Sequence, residues 1–406
     1  MKITAIETIN LDEFPNVLWV QIHTDEGIVG LGETFYAVAP VIEHIHQTGA
    51  EYLLGKNPLE IDKHSRYFLN SYLGFNSVGV EMRAASAIDI ALWDVFGQVT
   101  GQPIYQLLGG ASHDKVRVYN TCAGYQYVRA KPVQGTANFG LPAKADRMRP
   151  YEDLMAFKTD AGTLAKSLLE MGITGMKIWP FDEAAEATNG TYISNADLRK
   201  AMRPFEQIRK AVGDRMDIHV EFHSMWNLPT AVRIAGALEQ FDPFWYEDPV
   251  KMNNLDALAD YAGRTNVWVT ASETLGTRWG FRELFQKQAV SVCMLDVGWT
   301  GGLSESKKIA TMAEAHALPV APHDCTGPIL LTASVHLSMN CPNTLVQEMV
   351  RAFYYDWYGK LVTELPPVKD GYITAPKGPG LGTKLQPSVF KRKDIRRRIS
   401  KFGRKA

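Results

Sequence analysis

Six ionisable residues recur along the second half of the chain at nearly even steps. Glu221, Glu247, Glu273, Asp296, His323 and Glu348 lie 26, 26, 23, 27 and 25 residues apart. Each stands at or just beyond the end of a short β-rich run, as in His219-Val220-Glu221 and Phe244-Trp245-Tyr246-Glu247. Steps of that length match one strand plus one helix, so all six groups are expected at one mouth of a barrel. A single carboxylate at a strand end is usually solvated or caps the next helix. Three glutamates at matching ends of successive strands are different. Unshielded charges a few Å apart repel by about 4 kcal/mol even at an effective dielectric of about 20. A hard divalent cation resolves the conflict. Carboxylate oxygens with positions left for water and substrate suit Mg²⁺, and Mn²⁺ accepts the same donors.

Other groups fall on the same faces. In Gly175-Met176-Lys177-Ile178-Trp179 the strand alternation sends Lys177 and Trp179 to one side. His219, Glu221 and His223 share a face of the next strand. A His-x-Glu-x-His run raises zinc, but zinc would leave Glu247 and Glu273 as unexplained hard ligands. A lone histidine near a strand end is most often a satisfied structural group. Trp179 either packs at the barrel mouth or shapes a pocket there.

The elements that must position these groups form two rhythms. Up to Phe35 the chain reads as a hairpin or meander, with strands in Thr4–Ile9, Val17–Ile22 and Ile28–Leu31 and a turn at Asp25-Glu26-Gly27. From about Val41 to Val99 the pattern is helical, with Ile88, Ala91, Leu92, Val95 and Phe96 on one stripe and Gly101 closing it. Residues 1–115 therefore read as an α+β module. From Val116 onward, β-rich runs alternate with helical segments. Strands are expected at Val116–Cys122, Gly175–Ile178, Asp217–Glu221, Phe244–Glu247, Val267–Ser272, Ser291–Asp296, Pro319–Ala321 and Thr344–Glu348. Helices such as Leu164–Met171, Phe205–Val212, Ser304–Ala317 and Ile329–Ser338 lie between. Eight such units argue for a closed (β/α)₈ barrel over residues 116–365. An open doubly wound sheet is disfavoured because no glycine-rich dinucleotide fingerprint follows an early strand. The connection Ala123 to Arg149, carrying Tyr125, Tyr127, Arg129, Lys131 and Lys144, is long enough to be functional and would sit on the catalytic face. After Glu348 a coil with Pro366, Pro367, Pro376 and Pro379 leads to the basic tail, so that residues 366–406 form a C-terminal segment.

Composition narrows the class. With 46% hydrophobic and 21% charged residues, the chain is an ordinary globular protein, neither disordered nor collagen-like. No apolar run approaches the roughly eighteen residues a membrane helix needs. The first ten residues alternate like a strand and lack a secretory apolar block. Net charge is −1, but the stretch from Lys391 onward holds nine Lys/Arg against one Asp. It reads as a solvated surface segment. It has few aromatics, so no nucleic-acid partner is expected. Cys122, Cys293, Cys325 and Cys341 show no CxxC pairing and fit buried thiols in a reducing cytoplasm.

Taken with Val29-Gly30-Leu31-Gly32-Glu33, Ala84-Ala85-Ser86-Ala87-Ile88-Asp89-Ile90-Ala91-Leu92-Trp93-Asp94, Trp245-Tyr246-Glu247-Asp248-Pro249, Asp296-Val297-Gly298-Trp299-Thr300-Gly301-Gly302 and Gly378-Pro379-Gly380-Leu381-Gly382, the chain resembles the enolase superfamily, mandelate racemase subgroup. The resemblance spans nearly the whole length. It implies an α+β cap over a modified (β/α)₈ barrel, with the C-terminal segment returning to the cap. It implies Mg²⁺ on Glu221, Glu247 and Glu273, a His323–Asp296 dyad and a homo-oligomer. Two departures bear on the chemistry. The racemase pattern Lys-x-Lys is Lys177-Ile178-Trp179 here, so the second lysine base is absent. Glu221 is followed two residues on by His223 where the racemase has Asn, which resembles the D-galactonate dehydratase pattern.

On that resemblance the substrate would be a small-molecule acid sugar, an aldonate or aldarate, dehydrated to a 2-keto-3-deoxy acid. The metal and Lys177 would stabilise charge developing on the substrate carboxylate, and Glu348, if protonated, would hydrogen-bond it. His323, oriented by Asp296, would take the α-proton. His223 would protonate the departing 3-hydroxyl, unless His323 performs both transfers. Arg278 is a further candidate for substrate contact, and Phe14, Tyr36 and the Ser71–Ser77 segment are candidates for reading the sugar. A racemase or epimerase remains the alternative if His223 or a loop residue supplies the second base. A non-catalytic scaffold using the basic tail is the remaining one.

Overall fold

The computed structural model describes residues 1–70, 78–130, 132–133, 135–140 and 149–403. Three strands open the chain: β1 (Ile3–Leu11), β2 (Phe14–Thr24) and β3 (Val29–Phe35), paired antiparallel. The β2–β3 turn holds Gly27 at φ +78°, a left-handed conformation that glycine adopts without strain. Helix Val80–Thr100 lies across this meander. It buries Ala84, Ile88, Ala91 and Leu92 against Leu18, Val20 and Ile22 of β2 and Val41 and Ile45 of the preceding helical segment. The contact is unusually close. A Cβ at Gly30 would stand 2.1 Å from the Ala91 carbonyl oxygen, and one at Gly32 would stand 1.9 Å from that of Ala87.

The barrel begins with β4 (Val116–Thr121), followed by β5 (Gly175–Ile178), β6 (Asp217–Glu221), β7 (Trp245–Glu247), β8 (Trp268–Ala271) and β9 (Val292–Cys293). They pair in parallel in chain order. The strands expected at Ser291–Asp296 and Pro319–Ala321 shrink to two residues and to one bridging residue. Single bridges link Cys293 to Val320 and Val320 to Thr344, and β10 (Gln347–Met349) pairs in parallel with β4. Isolated hydrogen bonds carry that side further, from Ala321 N to Cys293 O and from His323 N to Leu295 O. The ring positions in order are therefore β4, β5, β6, β7, β8, β9, Val320 and β10. Tyr119, Trp245, Val292, Met294, Ala321 and Val346 fill the interior, so the barrel is packed rather than hollow. Helices Asp153–Glu170, Asn195–Val212, Leu228–Leu238, Leu255–Ala262, Thr277–Gln286, Gly302–Ala315 and Pro328–Asn340 surround it, and a small hairpin, β11 (Val368–Lys369) and β12 (Tyr372–Ile373), adds to the edge of β4.

The basic tail lies on the surface, as expected, but as an ordered strand. It forms β13 (Ile395–Lys401), which pairs antiparallel with β1 and makes the cap-sheet order β13-β1-β2-β3. Arg396, Arg397 and Arg398 bond to Asp12, Glu7 and Glu43, and Arg392 to Glu13 and Asp394. These acidic partners pair four of the tail's arginines. A composition count could not reveal this, because all the partners but Asp394 lie at the other end of the chain.

Buried carboxylates join cap to barrel. Glu33 accepts from Trp19 Nε1 at 2.7 Å and from the Leu330 amide at 3.0 Å, at the start of helix Pro328–Asn340. There the carboxylate meets the unpaired amides and positive end of a helix. Asp94 accepts from the amides of Leu31 (2.9 Å) and Leu381 (2.8 Å), and Asp89 from that of Ser304 (2.9 Å).

The close strand–helix contact makes a paired prediction. Gly32→Ala forces apart a packed backbone and should cost about 1–3 kcal/mol. Gly236 is exposed in helix Leu228–Leu238, and a Cβ added there would meet nothing within 4 Å, so Gly236→Ala should gain up to about 1 kcal/mol. Urea unfolding of both variants checks this, and equal effects would refute the steric account.

Candidate active site

The strand ends deliver Glu221 from β6, Glu247 from β7 and Glu273 two residues beyond β8 to one point. One oxygen from each lies within 4.8 Å of the others. Glu221 and Glu247 are fully buried and Glu273 is partly exposed. Local backbone fixes their direction: Glu221 Oε1 accepts from the amides of Phe222 (3.0 Å) and His223 (2.6 Å), and Glu247 Oε2 from Trp245 Nε1 (3.2 Å).

Lys177, at the end of β5, meets this group from the side. Its Nζ donates to Glu247 at 2.6 Å and to Glu221 at 3.3 Å, and stands 2.9 Å from Glu348 Oε1. Burial alone would discharge the ammonium, but Glu247 and Glu348 raise its pKa well above the ordinary value. Burial and the neighbouring Glu221 push the Glu247 carboxyl well up. Burial acts the same way on Glu221, but His223 and Lys177 outweigh it and bring that group down to about 2. One lysine thus does not satisfy the whole cluster. The donor set fits a hard divalent cation: all-oxygen, clustered, partly buried and open on the Glu273 side.

Two histidines face the cleft above the carboxylates. His323, past Val320, has Nδ1 on Asp296 Oδ2 at 2.7 Å and Nε2 on Glu273 Oε2 at 2.8 Å. Burial would lower its pKa, but Glu273, Glu348 and Asp296 raise it well above the ordinary value. His223, past β6, has Nδ1 on Asp182 Oδ2 at 2.6 Å. Burial opposes its charge too, and Asp182 and Glu221 overcome that and lift it to about 9. His223 and Ser224 both take left-handed backbone, φ +49° and +56°, at the turn out of β6. Tyr127, Phe139, Trp179 and Cys325 complete the walls near the carboxylates, and Tyr36 and Trp299 line the outer mouth.

Lys177, His223, Glu273 and His323 thus line one cleft, with Glu221, Glu247, Asp296 and Glu348 bonded behind them. Several expectations change. Glu348 is not positioned as a protonated donor. It accepts from Thr121 Oγ1 and from the Asp324 amide at 2.8 Å. Burial raises its pKa, but Lys177 and His323 prevail and hold it below the ordinary value. Arg278 does not line the cleft: its guanidinium is bidentate on Glu305, which is fully buried. Phe14 is buried against Trp357 at 4.6 Å and does not line the cleft. His219 is stacked among Tyr119, Phe244 and Trp245 inside the barrel, apart from the carboxylates. Ser71–Ser77, Lys131 and Lys144 lie outside the described residues. Asp182 was missed. It opens helix Asp182–Thr188 in the loop after β5 and belongs to none of the strand-end positions that the even spacing marks.

Comparison with known proteins agrees with this geometry. Residues 4–109 match the mandelate racemase / muconate lactonizing enzyme N-terminal domain, and residues 160–389 match the enolase C-terminal domain-like family. The D-xylonate dehydratase of Haloferax volcanii is 31% identical over 95% of this chain and 87% of its own. The D-galactonate dehydratase of Ralstonia pickettii is 29% identical over 96% and 93%. The crystal structure of an enolase of the mandelate racemase subgroup from Agrobacterium tumefaciens is 51% identical. It superposes with a TM-score of 0.87 over 99% of each chain.

Removing one carboxylate should weaken cation binding directly. Changing an outer-sphere partner typically costs about 10–100-fold in metal affinity, so Glu247→Gln should cost at least about tenfold. Calorimetric titration with Mg²⁺ and Mn²⁺ reads this, and unchanged affinity would remove Glu247 from the ligand set.

Proposed function

The chain belongs to the mandelate racemase / muconate lactonizing enzyme family of the enolase superfamily, and within it we propose a Mg²⁺-dependent acid-sugar dehydratase. The reaction is loss of water from a 2,3-dihydroxy carboxylate, an aldonate or aldarate, giving a 2-keto-3-deoxy acid. One observation carries the reading: three clustered glutamates lie beneath two histidines that reach a single cleft from opposite sides of the barrel. The dehydratase names of the two relatives support the same reaction class.

Glu221, Glu247 and Glu273 would hold the cation, whose chemistry when bound is to neutralise them and draw charge from the substrate carboxylate. Lys177 adds a fixed ammonium where that charge grows. His323 keeps Nδ1 on Asp296, so Nε2, which stands 2.8 Å from Glu273 Oε2, is the atom that would take the α-proton once Glu273 is committed to the cation and no longer holds a proton on that nitrogen. His223, whose pKa Asp182 and Glu221 raise to about 9, suits protonation of the departing 3-hydroxyl. Glu348 holds Lys177 in place. The resemblance also implies a homo-oligomer. Four unpaired, buried cysteines fit a cytoplasmic setting, and no described helix is long and apolar enough to cross a membrane.

The second reading is a racemase or epimerase. It is favoured by the same pair of opposed histidines, which could serve as bases on both faces of an α-carbon.

With Mg²⁺ present, a panel of aldonates and aldarates that includes D-xylonate and D-galactonate should yield a keto acid from at least one member. Stereochemical inversion without keto-acid release would transfer the assignment to the second reading. His323→Asn should lower turnover by on the order of 10³-fold. In His223→Asn, exchange of the α-proton with deuterated water should outlast dehydration. Equal loss of both would mean that His223 is not a separate acid or also positions the metal, and dehydration retained without it would give His323 both proton transfers.

A further inference from the structure

The ring order reveals a repeated arrangement. His223 follows the third ring position, β6, and its partner Asp182 follows the second, β5. His323 follows the seventh position, Val320, and its partner Asp296 follows the sixth, β9. Positions three and seven are opposite in a ring of eight. Each imidazole is therefore held at Nδ1 by an aspartate from the preceding ring position, at 2.6 and 2.7 Å, and both rings line the cleft, with His323 Nε2 standing 2.8 Å from Glu273 Oε2.

The geometry points to Asp182 as the positioning residue for proton donation by His223, the counterpart of Asp296 on the opposite side. This rests on the dehydratase reading. Asp182 is 2% exposed, and its other oxygen, Oδ1, has no hydrogen-bond partner among the described residues. The His223 imidazole is thus the hydrogen-bond partner that offsets burial of this carboxylate, and a buried charge without one is costly. The ring is confined on its other sides by Phe139, 5.1 Å away between centroids, and by the edge-on indole of Trp179 at 5.7 Å. With Nδ1–H fixed on Asp182, Nε2–H is the proton available to the substrate. It passes to the 3-hydroxyl oxygen as the carbon–oxygen bond breaks with its electron pair on oxygen. Water leaves, and the imidazole remains neutral with its Nδ1 proton still on Asp182.

Two measurements on Mg²⁺-loaded protein test this. The first uses the panel member that the wild type dehydrates. Asp182→Asn should lower dehydration on the order of 10²-fold or more, while α-proton exchange in deuterated water stays within about threefold. Asp182→Glu should recover part of the dehydration rate without changing exchange. Dehydration within about threefold of wild type, or equal loss of dehydration and exchange in folded Asp182→Asn, overturns the role. The second needs no substrate. In histidine-¹⁵N-labelled protein, a strongly deshielded Nδ1–H resonance should be lost in both Asp182→Asn and His223→Asn. Its survival in Asp182→Asn overturns the pairing itself. If the wild type releases no keto acid from any panel member, the dehydratase reading fails, and the resonance still decides the pairing.

Discussion

Negative charge crowded into a small, half-dry space is the constraint on which this structure depends. Glu221, Glu247 and Glu273 present oxygens within 4.8 Å of one another, with Glu348 beside them on the far side of Lys177. At such separations repulsion outweighs most single contacts in a fold, so the arrangement is sustained only with positive charge at its centre. The barrel supplies part of it through Lys177 and the two histidines. The remaining charge is of a kind that a hard cation on Glu221, Glu247 and Glu273 could supply. Both histidine pKa values and the lysine charge follow from this surplus of carboxylate, so acid–base behaviour here belongs to the cluster and not to any one residue.

The architecture turns that surplus to use by symmetry. Successive strands bring ligands to one side of the mouth, and the ring geometry sets the two imidazoles across from each other. A reaction that removes a proton from one carbon and a hydroxyl from the next needs groups acting from distinct directions. Opposed ring positions provide them without any long side chain having to reach. Lys177 lies between the carboxylates and the cleft, where an ammonium can act on substrate charge.

Much of this was legible in the sequence because a βα unit has a nearly constant length. Even spacing located all three glutamates, Asp296, His323 and Glu348. The alternation in Gly175–Trp179 put Lys177 and Trp179 on the cleft side, where both are found. What spacing cannot register is an interaction between loops. Asp182 stands 41 residues before His223 with no periodic relation to it. The protonation of Glu348 is not legible in the sequence because it depends on Lys177 lying within 2.9 Å, a fact of side-chain packing. Arg278 looks free in a linear reading because its partner, Glu305, lies 27 residues further on. Short strands fared worst. Where Pro319–Ala321 keeps only one bridging residue, propensity has too few positions to act on.

The pairing of β13 with β1 has a consequence for how the polypeptide is made. Arg397 and Glu7, bonded across that ladder, are 390 positions apart. During synthesis the outer edge of β1 stays unpaired until β13 has emerged. Closing so large a loop is among the slower events available to a folding polypeptide. Throughout that interval an unprotected β-edge is open to mispairing with neighbouring nascent chains. Asp12 and Glu13, just beyond β1, bond to Arg396 and Arg392 once that strand has paired.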